Sequence, residues 1–150
     1  MALSSNALCA KAKAMYGYRI GEEGYSDLCR KQSLSEMVTY LKSQTKYSGV
    51  LEDINVRNVH RRQVEAALNK EYFERCARLM KYAPKKNQDF YSQEVIGIEV
   101  QLIVDKVVSI KEKDQASFSL EIPDYLASKM SFNIYGLINV DNYKDLVTYL

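Results

Sequence analysis

The chain has 150 residues, 47% of them hydrophobic and 27% charged, which suits one domain, or one domain and part of a second, around a sizeable core. Its 21 basic and 19 acidic residues are interspersed and leave a net charge of only +2. That balance excludes the strong positive field on which binders of nucleic acid and of anionic membranes rely.

In chain order, Ser4 and Ser5 are candidate caps for a first helix reaching about Tyr18. Ala7, Ala10, Ala14, Met15 and Tyr18 recur at three- and four-residue steps, a stripe small enough for another helix to approach closely. Gly21 and Gly24 are expected to break it. A short helix over Tyr25–Lys31 follows. Ser33 with Glu36 forms an S-x-x-E capping box, and Leu34, Met37, Val38 and Leu41 make the apolar face of the helix it opens. Thr45–Gly49 reads as a polar turn.

A long helix is expected from about Arg57 to Ala83, stopped by Pro84. Val64, Leu68, Tyr72, Cys76, Leu79 and Met80 are its expected buried stripe. Glu71/Arg75 and Glu74/Arg78 are acid-before-base pairs at four-residue spacing. Asn87 can cap the next segment, about Gln88–Lys111. Ile96, Ile98, Val100, Leu102 and Val104 alternate there as in a strand, while Ile96, Val100, Ile103, Val107 and Ile110 keep helical spacing for longer. Length favours the helix; Gly97 and the β-branched residues favour the strand. Lys111–Ser117 is a charged linker and the candidate boundary between a unit at 1–113 and a second at 114–150. Phe118, Leu120 and Ile122 are expected to be extended up to Pro123, which opens a short helix to about Lys129.

The chain closes on a copy of its own early stretch. DLCRKQSLSEMVTYL from Asp27 and GLINVDNYKDLVTYL from Gly136, 109 residues apart, share Leu28/Leu137 and the run Val38–Leu41/Val147–Leu150. Either this is an internal repeat, or two amphipathic helix starts look alike by accident. In the copy, Asp141 or Asn142 is the expected cap. If the repeat is real, the chain holds one whole unit and the start of another. Val147 and Leu150 would then lack the neighbours that Met37, Val38 and Leu41 have, and would invite self-association.

No residues assemble into recognisable chemistry, so no catalytic, cofactor-binding or metal site is assigned and no cofactor is expected. There is no GxxxxGK[ST] or GxGxxG loop. His60 is the only histidine and has no clustered Cys or carboxylate partner. His60, Arg61 and Arg62 read as the solvated start of a helix, or as a small basic patch for an acidic partner. Cys9, Cys29 and Cys76 are widely spaced and expected to be free thiols of a reducing compartment. Met1–Ala14 lacks the pattern of a signal peptide. The most apolar stretch, Val95–Ile110, carries Glu99, Asp105 and Lys106 and is too short and too charged to span a bilayer. A soluble, all-helical protein of long antiparallel and short helices is the expectation.

Asn6-Ala7, Lys11-Ala12-Lys13-Ala14-Met15, Arg19-Ile20, Tyr25, Leu28, Ser33-Leu34 with Glu36, Tyr40-Leu41, Thr45, Tyr47 and Leu51 keep the order and approximate spacing of a known family. They resemble the amino-terminal part of the C subunit (d subunit in eukaryotes) of V/A-type rotary ATPases. Glu65-Ala66-Ala67-Leu68 resembles the long helix that follows in that family. Glu94, Val95 and Ile98 fit its later R-Y-D/E-V-x-N-L-K pattern, whose Arg, Asn and Lys have no counterparts here. The resemblance implies an all-helical, three-domain funnel without catalytic residues, acting as the socket between the central stalk and the membrane rotor ring. It implies a cytoplasmic location, peripheral to the membrane through those partners. A helical adaptor unrelated to rotary motors is the alternative.

Overall fold

Ser33 shows how this sequence makes its helices. Its backbone is extended, and its Oγ accepts the Glu36 N–H at 3.2 Å, while the Glu36 carboxylate accepts the Gln32 N–H at 3.0 Å. One otherwise orphaned donor of the helix start and the N–H of the residue before the cap are satisfied at once. The helix so opened, α3 (Leu34–Gln44), is one of those seen in a computed structural model that describes residues 2–84, 88–113, 118 and 120–150. The others are α1 (Ala2–Tyr16), α2 (Glu22–Cys29), α4 (Arg61–Lys81), α5 (Gln88–Glu112), α6 (Asp124–Ala127) and α7 (Tyr143–Tyr149), with 3-10 turns at Val56–Asn58 and Ile134–Asn139. No strand occurs among the described residues, so the fold is all-α and the ambiguous Val95–Ile110 segment is helix.

By compactness the chain divides into two units, 1–75 and 76–150, and the division falls within α4. In the first unit Val38 and Leu41 of α3 pack with Leu51 and Val64, ringed by Ile20, Leu28, Tyr47, Ile54 and Leu68 among others. Fully burying an aliphatic side chain of this size contributes about 1.5–3 kcal/mol. Leu51, two residues past the expected polar turn of Thr45–Gly49, is a fully buried core residue. Thr45 makes that possible by taking its hydroxyl proton to the Leu41 carbonyl (2.6 Å) and accepting the Tyr47 N–H (3.2 Å). Lys42 Nζ ties the far side by donating to the carbonyls of Glu52 and Ile54.

Several local expectations are corrected. α1 already runs through Ser4 and Ser5, so they lie inside the helix and not at its cap. The Ala7, Ala10 and Ala14 face of α1 is exposed. Gly21 does cap α2, but Gly24 lies within that helix. A Cβ there would come to 2.6 Å from Ile20 Cγ2 and 3.4 Å from the Tyr40 hydroxyl, so Gly24 serves close approach and breaks nothing. α4 buries Val64 near its start but Phe73, Ala77 and Met80 near its end, while Tyr72 is exposed. At about 100° per residue these later positions lie on the other side of the helix, so one stripe at four-residue steps does not describe it. Asn87 lies outside the described residues, as do 114–117 of the expected linker; α5 ends at Glu112, followed by Lys113 at φ 54°. Pro123 is the residue before α6 and not its first-turn member.

The second unit repeats the stitching of the first at the same offset. Asn142 is the cap of α7, its Oδ1 accepting the Asp145 N–H at 2.9 Å. Thr39 donates to the Ser35 carbonyl at 2.8 Å, and Thr148 to that of Lys144 at 3.0 Å. The Tyr40 hydroxyl lies against Gly24, where burial and the nearby Asp27 carboxylate raise its pKa. The Tyr149 hydroxyl donates to the Asn133 carbonyl, and its ring occupies the space a Cβ on Gly136 would need. Asn133 and Gly136 stand at the positions that Gly24 and Asp27 hold in the earlier stretch. Burial is where the two differ: Val38 is fully buried, and its counterpart Val147 is 79% exposed.

Candidate interaction surfaces

The first unit carries a half-open, largely apolar hollow of about 340 Å³, lined by Ile20, Tyr25, Leu41, Tyr47, Leu68 and Tyr72 among others. At its edge Arg75 Nε donates to Glu71 Oε1 at 2.6 Å, both side chains about four-fifths shielded, and the guanidinium sits 5.2 Å above the Tyr47 ring. Burial works against the Arg75 charge, but the Glu71 carboxylate outweighs it and raises the guanidinium's affinity for its proton. This is the i,i+4 pair the sequence suggests, now holding one wall of a hollow. Nearby, Arg19 stacks on Tyr16 at 3.7 Å and Lys46 on Tyr18 at 4.3 Å, making an exposed aromatic and basic edge at the end of α1.

His60 is exposed, with its backbone N–H donating to Gln63 Oε1 at 3.0 Å. Arg61 pairs with Glu65 at 2.6 Å in the open, where such a pair adds little. The residues of the basic patch thus form the solvated start of α4. Cys9 and Cys29 are free and exposed, and Cys76 is free and partly buried, with burial pushing its thiol pKa up. No group of three or more His, Cys, Asp or Glu capable of holding a metal occurs among the described residues.

The second unit is organised by two buried charges that sequence reasoning treated only as obstacles to a membrane span. Glu99 is buried on α5 and its carboxylate accepts the Ser131 N–H. Lys106, 1% exposed, donates to the Ile138 carbonyl at 3.5 Å and lies 4.9 Å from the Phe118 ring centre. Desolvation lowers the Lys106 pKa, opposed by the field of Asp141. Together they tie α5 to the loop and 3-10 turn of 131–139. The signal was present: Val95, Glu99, Leu102, Lys106 and Ser109 fall at alternating four- and three-residue steps, and all five are buried. A periodicity search that skips charges passes over it.

The opposite side of α5 is exposed and apolar, with Ile96, Val100, Val104 and Val108 in one row. Val147 of α7 and, at 54%, Leu150 just after it are also exposed. No helix among the described residues is long and apolar enough to cross a membrane.

These features define an all-α protein of capped helices whose notable surfaces are broad apolar faces. Residues 8–150 match the family described as ATP synthase (C/AC39) subunit, and the chain belongs to that family. It is thus a subunit of a V/A-type rotary ATPase, a membrane-associated complex. No curated protein and no solved structure matches it.

Proposed function

We propose that this chain is a non-catalytic coupling subunit, the socket that fits the rotating central stalk to the membrane rotor ring and passes torque between them. The observation that carries the reading is the family match over residues 8–150. The packing agrees with such a role. Caps, Tyr149 and the buried Glu99 and Lys106 fasten short segments to longer helices. A part that transmits force works through such stiffness and needs no reaction of its own. The matched stitching 109 residues apart supports an internal repeat whose second copy begins after residue 113, a division distinct from that of the two compact units. Through those partners the protein is peripheral to the membrane on the cytoplasmic side.

The test is co-purification of the full-length protein with central-stalk subunits and rotor ring, combined with removal and add-back on membranes carrying the complex. Stripped membranes should hydrolyse ATP without moving ions, and add-back should restore ion movement. No complex with either partner, or ion movement indifferent to the subunit, would overturn the reading.

A further inference from the structure

The hollow of the first unit rests on a fixed floor. Leu41 is a core residue, and Ile20, Leu28 and Leu68 pack against that core while also lining the hollow. A recess floored by core side chains is largely preformed, so filling it costs little ordering. At about 340 Å³ it has room for a small molecule.

Its charged lining is confined to one point, Glu71 and Arg75 of α4. Arg75 donates its Nε–H to Glu71 Oε1 at 2.6 Å, and its guanidinium carbon lies 5.2 Å from the centre of the Tyr47 ring. Glu71 thus holds the guanidinium by one edge, and the terminal amino groups meet no carboxylate among the described residues. Those amino groups are the fork that takes a carboxylate through two parallel hydrogen bonds. The Arg75 side chain is only 22% exposed, so an anion bound there is screened less than at an open surface.

The surroundings favour the same sign of ligand. Asp27, next in sequence to the lining Leu28, is already paired with Arg30 at 3.4 Å. Arg19 and Lys46, next in sequence to the lining Ile20 and Tyr47, are exposed and lie over the rings of Tyr16 and Tyr18. The charge left uncompensated at this edge is therefore positive. A neutral hydrocarbon in the recess would strip water from the Arg75 amino groups without replacing its hydrogen bonds, and an amine would be repelled.

We infer that this hollow binds a small apolar monocarboxylate, its carboxylate on the Arg75 amino groups and its hydrocarbon body against Ile20, Leu41 and Leu68. For an acid of about a dozen heavy atoms the dissociation constant is on the order of 0.1–1 mM. The inference is independent of the coupling role proposed above.

The test is a titration of the whole ¹⁵N-labelled chain with 4-phenylbutyrate, followed by amide NMR shifts, beside 4-phenylbutanamide and 4-phenylbutylamine. The acid should bind about tenfold more tightly than the amide, and the amine more weakly still. Arg75→Gln should bring the acid down to the level of the amide. Leu68→Trp should abolish binding of both by filling the recess. Arg61→Gln, at an exposed site earlier on α4, should change neither. Unchanged helical circular dichroism shows that a variant folds; if Arg75→Gln does not, the comparison of acid with amide on wild type decides. No saturable binding of the acid up to about 10 mM, equal affinity for acid and amide, or indifference of a folded Arg75→Gln chain would each overturn the inference. So would a short peptide ending in phenylalanine that binds more than about tenfold tighter than 4-phenylbutyrate, since the hollow would then be a dock for a chain end.

Discussion

The same substitution, glycine to alanine, should act in opposite directions at two sites in the second unit. Gly97 lies in the interior of α5, its φ is not positive, and a Cβ there meets nothing within 4 Å. Gly97→Ala should stabilise the protein by about 0.5–1 kcal/mol, because glycine wastes backbone entropy in a helix. At Gly136 the new methyl would coincide with the Tyr149 ring. The ring must leave, and two interactions go with it. The hydrogen bond to the Asn133 carbonyl is worth about 0.5–1.5 kcal/mol. The edge-on contact with Phe132, centroids 6.1 Å apart, is worth about as much again. Gly136→Ala should therefore cost about 1–3 kcal/mol. Urea denaturation followed by circular dichroism measures both changes. A double-mutant cycle with Tyr149→Leu isolates the cause, since Gly136→Ala should be nearly free once the ring is gone. If Gly136→Ala costs the same with and without the Tyr149 ring, the close packing inferred for that corner is wrong.

Three further outcomes are expected. Leu51→Ala should cost about 2–5 kcal/mol, the range for a fully buried leucine, although it lies outside any helix; a loss below 1 kcal/mol in thermal or urea unfolding would deny it a core role. Ser33→Ala and Asn142→Ala should each cost about 1 kcal/mol, and Ser33→Asp much less, because the capping oxygen is kept. Lys106→Met keeps the buried stem and removes a desolvated charge held by one long hydrogen bond and a ring, so it should be neutral or stabilising, whereas Lys106→Ala should destabilise by opening a cavity. The folded pKa of Lys106 lies below its ordinary 10.5, so the unfolded chain binds the proton more tightly. Wild type should consequently gain stability relative to Lys106→Met as pH rises through the alkaline range towards 10.5, and a gap that widens instead would reverse the sign argued here.

What the sequence disclosed and what it withheld follow from how local each signal is. Ser33, Glu36 and the Val38/Leu41 face were legible because a cap and its helix lie within a few residues of each other. The Glu71/Arg75 pair was legible for the same reason. Leu51 was not, since a single leucine just past a polar turn acquires a core only when α3 and α4 close over it. Tyr72 was taken for the buried residue in place of Phe73, because steps of four drift around a helix and the spacing alone does not say where the face changes. Gly24 read as a breaker until Ile20 and Tyr40 came to lie against it. Glu99 and Lys106 were concealed by their charge, their partners being backbone groups more than thirty residues away. The exposed row on α5 was not distinguished from a buried one, since periodicity reports that a helix has an apolar side and is silent on whether anything covers it.

The three thiols have a practical consequence. Cys9 and Cys29 are open to solvent, while Cys76 is shielded and holds its proton more tightly than an ordinary cysteine. A maleimide at neutral pH will therefore mark the first two quickly and the third slowly. Two reporter dyes can be attached to the unaltered polypeptide, both within residues 1–75. The lag before Cys76 reacts then reports how well the carboxyl-terminal part of α4 shields it.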